Sequence, residues 1–383
     1  MNKKLGYYIC DGQEFNSKIV CALHATKVNK PMSWVFNDVT FSNYNFSEEP
    51  AESLDELYDR RARELREKYD YIVLSYSAGS DSHNILMAFH RQGLHIDEVV
   101  TNWVFEASKK FTIVDTLVND AWNQNAEFEL NAKEKLQWIA DHMPATKVTL
   151  YDCSKQIYTY FSKAKDADWV TQHVEPLNPA ATQRYNPLQI KDIRNRIDKE
   201  NSIGFVVGVD KPLSLIIDNK LYLRLRDKTA NIVPSNAYLD QYDNSTIEYF
   251  YWAPESCAML AKQGHVMLKY LNTNKQYQLI WSPSELDNRR ASQETLMRHM
   301  VYTNWDESWF QTKKPTQDWY SELDYWFIEQ FKNTPAGRNW QAGVDYLESS
   351  VDKSLQLTSG KKGLTTFYSP LYYIGDIIPP GKS

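Results

Sequence analysis

The chain has 383 residues, 42% of them hydrophobic and 24% charged, which is the composition of a globular protein long enough for two domains. Its net charge of −6 and pI of about 5.8 argue against a strong grip on nucleic acid, although a local basic patch in three dimensions is compatible with them. No apolar run is long enough to cross a membrane, and neither a secretory signal nor a CxxC pair occurs, so we expect a reduced, cytoplasmic protein without structural zinc.

The first predicted elements are a short extension and a helix. Residues 1–52 mix β-like runs with turns and predict an N-terminal β-containing extension. Ser53 and Glu56 form a capping box, and apolar residues then recur on one helical face as far as Leu65. This helix leads directly into Tyr71–Ser77, an apolar run that predicts a buried strand.

Strands and helices alternate over the next part of the chain. A helix begins after residue 82 and is expected to end at Gly93, and three more strands are predicted within residues 95–106, 146–152 and 203–210. Two helices between these strands are indicated by apolar stripes, formed by Val114, Leu117, Val118, Ala121 and Trp122 and by Ile190, Ile193 and Ile197. The alternation predicts an α/β domain over residues 53–234, with a doubly wound, mostly parallel sheet that binds ligands at the carboxyl ends of its strands.

The pattern changes after the fourth strand. "LSLIIDNKLYLRLRD" alternates apolar and polar residues around Asp218-Asn219-Lys220, which predicts a β-hairpin. From about residue 235 the sequence is mostly helical in pattern and rich in tryptophan and tyrosine. We expect residues 235–383 to form an α-rich, aromatic-rich region that shapes a substrate cleft.

The stretch "SYSAGSDS" lies between the first predicted strand of the domain and its helix. Successive backbone N–H groups in such a turn converge on one point, and the positive end of the helix dipole faces the same point. This arrangement suits a pyrophosphate, and the residues expected to bind it are Ser75, Ser77, Ala78, Gly79, Ser80, Asp81 and Ser82. Because the Asp81 carboxylate repels phosphate directly, we expect it to act through a bridging Mg²⁺ ion.

Ser77-Ala78-Gly79-Ser80-Asp81-Ser82 resembles the SGGxDS signature of the PP-loop ATP pyrophosphatases, and the synthetase domain of asparagine synthetase is the nearest model. Members of this superfamily have the adenine nucleotide α-hydrolase-like (HUP) fold and cleave ATP to AMP and pyrophosphate. The resemblance implies ATP and Mg²⁺ as cofactors, with Asp81 as a metal ligand and catalytic residue. The departure from the signature is Ala78, where the family prefers glycine.

The same resemblance assigns roles at the end of the second strand. Asn102 is expected to hydrogen-bond the adenine base. Trp103 is expected either to stack on the base or to pack in the core, and the sequence leaves both readings open. His83, directly after the loop, is in a position to face it.

The end of the fourth strand supplies the remaining candidates. Gly208 is expected beside the pyrophosphate and Asp210 as a second metal ligand, by a loose match to the acidic segment of asparagine-synthetase-like members. Lys211 is expected to be a catalytic residue that neutralises charge on the departing pyrophosphate. The structural alternative is a plain turn made by Asp210 and Pro212.

The resemblance therefore implies an ATP-dependent ligase or synthetase that adenylates a carboxylate or carbonyl oxygen of a small-molecule acceptor, releasing pyrophosphate and then AMP. The bond finally made is an amide or a similar linkage. One alternative is a nucleotide-binding protein without turnover, in which Ala78 and the loose match at Asp210 reflect lost chemistry. Another is a nucleobase-modifying or nucleic-acid-modifying relative, whose aromatic half stacks bases.

Overall fold

The computed structural model describes most of the chain. The residues that it describes are 3–103, 105–109, 127–172, 177, 179, 191–208, 211–227, 242–284, 286–306, 308–309, 322–357 and 363–380. Within them, no helix is long and apolar enough to cross a membrane.

Strands and helices alternate through the middle of the chain. The strands in the described residues are β1 (Tyr7–Cys10), β2 (Gln13–Phe15), β3 (Met32–Val35), β4 (Tyr71–Ser75), β5 (Glu98–Trp103), β6 (Lys147–Asp152), β7 (Ile203–Val207), β8 (Leu213–Ile217), β9 (Lys220–Arg224), β10 (Ser245–Tyr249) and β11 (Tyr372–Asp376). The helices there are α1 (Lys18–Val28), α2 (Asp38–Asn43), α3 (Leu54–Lys68), α4 (Ser80–Arg91), α5 (Phe105–Ser108), α6 (Lys133–His142), α7 (Cys153–Lys163), α8 (Lys191–Ile197), α9 (Cys257–Thr273), α10 (Leu286–Val301), α11 (Glu322–Phe331) and α12 (Pro335–Ser350). A π-helical turn over Phe128–Ala132 precedes α6.

The protein is an α/β protein built on a parallel sheet of five strands in the order β10-β7-β4-β5-β6. The chain runs from β4 outward to β5 and β6, then returns to the other side of β4 for β7 and β10. The order therefore reverses between β4 and β7, and sheets of this kind bind ligands outside the carboxyl ends of the strands at that point. Ser75 pairs with Val207 across it, so the segments that follow these two residues are neighbours.

The strands at the centre of the sheet are shorter than the sequence predicted. β4 ends at Ser75, because the chain turns away after Tyr76, whose N–H still donates to the Val100 carbonyl at 2.8 Å. β7 ends at Val207, three residues before the predicted end. Asp210 and the predicted helix around residues 114–122 lie outside the described residues.

The fifth strand of the sheet, β10, lies in the part of the chain for which the sequence indicated mostly helices. Glu248 is buried within this strand. A charged residue among so few interrupts the run of apolar residues from which a buried strand is predicted. Arg61 donates to this carboxylate at 3.0 Å and Lys68 donates to it at 2.5 Å. Two cations thus make the burial possible.

Several local predictions are confirmed. Ser53 and Glu56 make both hydrogen bonds of the capping box at the start of α3. β8 and β9 form the predicted hairpin, and Asp218 and Asn219 at its turn both have positive φ, as a two-residue hairpin turn of type I′ requires. β11 adds to this hairpin beside β9, whereas β1, β2 and β3 form a separate antiparallel sheet.

Candidate functional site

The loop between β4 and α4 has an unusual backbone at Ala78. This residue is fully buried and has φ of 60°, in the left-handed region. A residue with a Cβ costs about 1–2 kcal/mol in that conformation, whereas glycine adopts it freely. The position where the sequence departs from the resembled signature is therefore the position at which the loop favours glycine.

Two serine hydroxyls hold the loop together from within. The Ser82 hydroxyl accepts from the Ser77 N–H at 3.3 Å and donates to the Gly79 carbonyl at 3.2 Å. The Ser77 hydroxyl accepts from the Gly79 N–H at 3.3 Å. Ser77 is exposed while Ser82 and Ser80 are buried, so Ser77 marks the open side of the loop.

Helix α4 begins at Ser80, directly after this turn. Gly79 is the cap residue, and in the described residues no side chain caps the helix. The first helical hydrogen bond runs from the His83 N–H to the Gly79 carbonyl at 2.9 Å. An uncapped helix start next to a tight turn carries partial positive charge and is suited to an anion.

Asp81, in the first turn of α4, is held by groups from three other segments. Its Oδ1 accepts from the Lys211 ammonium at 2.8 Å and from the Tyr302 hydroxyl at 2.5 Å. Its backbone carbonyl accepts from the Tyr251 hydroxyl at 2.8 Å. The Lys211 side chain is 5% exposed and the Asp81 side chain 24%, so the pair lies at the edge of the buried region with the carboxylate reaching solvent.

Gly208 brings the end of β7 against the loop. A Cβ built on Gly208 would lie 3.3 Å from the backbone of Asp81 and 3.1 Å from the Ile85 side chain. A larger residue would push α4 away from the sheet. The close approach places Lys211, which follows after three residues, beside Asp81.

Asp81 fits a magnesium site of the kind expected from the sequence. Among the described residues, no group of three or more His, Cys, Asp or Glu side chains is arranged to hold a metal ion. Mg²⁺ does not need one, because it keeps several waters and takes one or two carboxylates together with substrate phosphates. Asp81 offers one partly exposed carboxylate next to the turn that precedes α4, which is compatible with that requirement.

The end of β5 lies one strand away from the loop. Asn102 and Trp103 are half-buried there, opposite Tyr151 and Asp152 of β6. The Trp103 ring stacks on Phe128, with centroids 4.4 Å apart and an angle of 14° between the planes. One face of Trp103 is therefore packed against the protein, as in the second of the two readings.

His83 is not an acid or base at neutral pH. Its side chain is buried, and its Nδ1 is 3.0 Å from the Tyr76 hydroxyl. Desolvation, reinforced by the nearby Lys135, lowers the pKa of His83 to about 3. The imidazole is therefore neutral and acts as packing and as a hydrogen-bond partner.

We expect His83 to make the protein sensitive to acid. Its pKa is about 3 in the folded state and 6.5 in the unfolded chain, so between these values the unfolded state binds more protons and stability falls as the pH falls. Relative to His83→Gln, which keeps a partner for Tyr76 but does not titrate, the wild type should lose up to about 1.4 kcal/mol per pH unit below about pH 6.5. Urea unfolding of both proteins measures this difference, and parallel pH profiles would contradict it.

Residues that the sequence did not single out also reach the loop. The Ala78 carbonyl accepts from the Asn131 side-chain amide and from the Lys135 ammonium, both at 3.0 Å. Lys135 in turn lies 3.9 Å from the ring centroid of Trp309. In sequence, Asn131 and Lys135 lie in an ordinary polar helix pattern, and their spacing of four residues places them on one helical face without indicating what that face contacts.

Lys262 and His265 of α9 contact a part of the chain other than the loop. Lys262 of α9 pairs with Glu49 at 2.6 Å, and His265 Nε2 is 3.1 Å from the Phe46 carbonyl. Both therefore contact the N-terminal extension rather than the loop. Comparison with known proteins finds no matching family model and no matching curated protein.

Proposed function

We propose that the chain is an ATP pyrophosphatase of the PP-loop type, with the HUP variant of the α/β fold, that adenylates an acceptor oxygen. The observation that carries the proposal is the loop of residues 77–82. It lies at the strand-order reversal, leads into a helix start without a side-chain cap, and holds Asp81 next to Lys211. These features match the resembled signature in chemistry as well as in sequence.

In the proposed reaction a carboxylate or carbonyl oxygen of a small-molecule acceptor attacks the α-phosphorus of ATP. The bond between the α-phosphorus and the bridging oxygen breaks, and pyrophosphate leaves with the electron pair. Bound Mg²⁺ would supply charge neutralisation on the phosphates. The loop amides hold the departing pyrophosphate, and Lys211 stabilises the charge that develops on it.

The roles of the individual residues follow from their surroundings. Asp81 would hold the metal through Oδ2, while Lys211 and Tyr302 fix the orientation of its carboxylate through their hydrogen bonds to Oδ1. Ser77 and Ser82 shape the turn, and their hydroxyls are engaged within it. Asn102 remains a candidate for the base, at the end of the adjacent strand.

Binding without turnover is the second candidate function. The strained backbone at Ala78 favours it, because a loop that is costly to hold is a weaker platform for the transition state. Exchange of labelled pyrophosphate into ATP separates the two, since adenylation is reversible and the exchange needs only the acceptor, not the second nucleophile that displaces AMP.

We expect exchange in the presence of Mg²⁺ and one member of a panel of amino acids and small carboxylic acids. It should be absent in Asp81→Ala and unchanged in Asp141→Ala, which removes an exposed carboxylate from α6. If the wild type binds ATP with Mg²⁺ and no acceptor in the panel yields exchange or AMP, the binding-only function replaces the enzyme.

A further inference from the structure

The carbonyl of Ala78 is the meeting point of two buried donors. Asn131 and Lys135 each donate to it at 3.0 Å, and both side chains are almost completely buried. One donor would satisfy the carbonyl of a plain buried turn, so the second hydrogen bond to Ala78 is more than burial requires. Both donors converge on the residue with the least favourable backbone of the loop.

The two donors come from one rigid element. Asn131 lies in the π-helical turn and Lys135 in the first turn of α6, four residues later and on the same helical face. Phe128, at the start of the π-helical turn, stacks on Trp103 at the end of β5. The turn is thus fixed to the sheet next to the loop, and π-helical turns often occur at functional sites.

The ammonium of Lys135 is enclosed. It lies 4.4 Å from the centroid of the Trp305 ring and 3.9 Å from that of Trp309. Desolvation lowers the pKa of Lys135 to about 7, against the opposing pull of Glu127, Glu134 and Asp306. Because the amine donates to a carbonyl in either protonation state, its contact with Ala78 does not depend on its charge.

We propose that Asn131 and Lys135 are positioning residues of the phosphate site, which hold Ala78 in the left-handed conformation and so fix the shape of the loop between β4 and α4. The two hydrogen bonds that Asn131 and Lys135 donate to the Ala78 carbonyl, here called the clamp, allow alanine to occupy a position at which the loop favours glycine. The inference rests on the proposed function for its effect on nucleotide, but the loop conformation itself is a property of the free protein.

The test is a double-mutant cycle between Lys135→Met and Ala78→Gly. Binding of ATP with Mg²⁺ is measured by calorimetry, and amide hydrogen exchange of the segment 76–82 is measured without nucleotide. We expect Lys135→Met alone to weaken ATP binding about tenfold, or about 1.4 kcal/mol, and to speed exchange in the loop. In the Ala78→Gly background the same change should cost less than about threefold, because glycine needs no clamp.

Two further variants test whether the effect belongs to the two donors rather than to the helix in general. Asn131→Ala removes the other donor and should repeat both effects. Lys133→Met removes an exposed lysine from the same helix and should change neither.

The outcomes separate the clamp from the proposed function. An equal loss of affinity with and without Ala78→Gly would assign Lys135 a direct contact with the nucleotide and overturn the clamp. Unchanged loop exchange in Lys135→Met and in Asn131→Ala would also overturn it. If even the wild type binds no ATP, the proposed function fails, while faster exchange that Ala78→Gly suppresses still supports the clamp.

Discussion

Asp81→Asn is expected to remove most of the gain in ATP affinity that Mg²⁺ provides. The amide keeps the shape of the side chain and one oxygen for Lys211 and Tyr302, but it has no charge and is a poor ligand for a hard cation. Loss of a residue that supports a metal ligand costs roughly tenfold to 100-fold in affinity, and we expect at least that for loss of the ligand itself. Calorimetric titration of ATP with Mg²⁺ and with chelator, for both proteins, measures the difference.

The control must separate the lost metal ligand from a disturbed ion pair. Asp81→Asn leaves the buried Lys211 ammonium without its carboxylate, at a cost of about 1–3 kcal/mol for a pair that is partly exposed. Adding Lys211→Met should recover stability but not the effect of Mg²⁺. Tyr302→Phe, which removes one hydrogen bond to the carboxylate, should retain most of the gain in ATP affinity that Mg²⁺ provides. A Mg²⁺ effect that survives in Asp81→Asn would remove Asp81 from the metal site.

The sequence located the loop because its information is local. A strand, a turn of small residues and an amphipathic helix follow one another, and each has its own pattern. The pairing of Asp81 with Lys211 was not predicted, since 130 residues separate them and the resemblance assigned Lys211 to the pyrophosphate rather than to a carboxylate. The rule that the ends of parallel strands meet placed the two residues only at the same edge of the sheet.

The partners that hold the loop could not be read in the same way. Asn131, Lys135 and Tyr302 come from segments whose patterns are those of ordinary helices, and nothing local marks which side chain turns toward the loop. A buried lysine is especially difficult to predict, because lysine on a helix normally indicates a solvated face. Only the packing of Trp305 and Trp309 around Lys135 makes its burial understandable.

The same contrast holds for the fold. The capping box before α3 and the hairpin turn at Asp218 and Asn219 depend on neighbouring residues and agree with the sequence. β10 depends on distant ones, since Glu248 is buried only because Arg61 and Lys68 of α3 reach it. Local rules therefore give elements and turns, whereas buried charges are decided by tertiary contacts.

Lys18→Met is expected to destabilise the protein by about 3–5 kcal/mol, which is the largest effect on folding that we foresee. The Lys18 ammonium and the Asp227 carboxylate are both fully buried and lie 2.8 Å apart. The Tyr8 hydroxyl and the Phe367 N–H also donate to this carboxylate, each at 3.0 Å. These neutral donors do not replace the lost cation, so within the described residues the variant leaves the buried Asp227 carboxylate without its ion-pair partner. Denaturant unfolding of both proteins measures the loss.

Lys18→Met combined with Asp227→Asn tests the cause. The double variant has no charge in the core, and the amide oxygen introduced at position 227 can still accept from Tyr8, so it should recover to within about 1–2 kcal/mol of the wild type. Failure to recover would mean that the side chains matter through their shape rather than their charge. Lys18 lies in α1 of the N-terminal extension, and Asp227 follows the β8–β9 hairpin. Phe367, which donates to Asp227, lies in the segment before β11, so this site connects three parts of the chain. A strong coupling there would mean that the hairpin following Lys211 is held in place by the first 20 residues of the chain as well as by its pairing with β11.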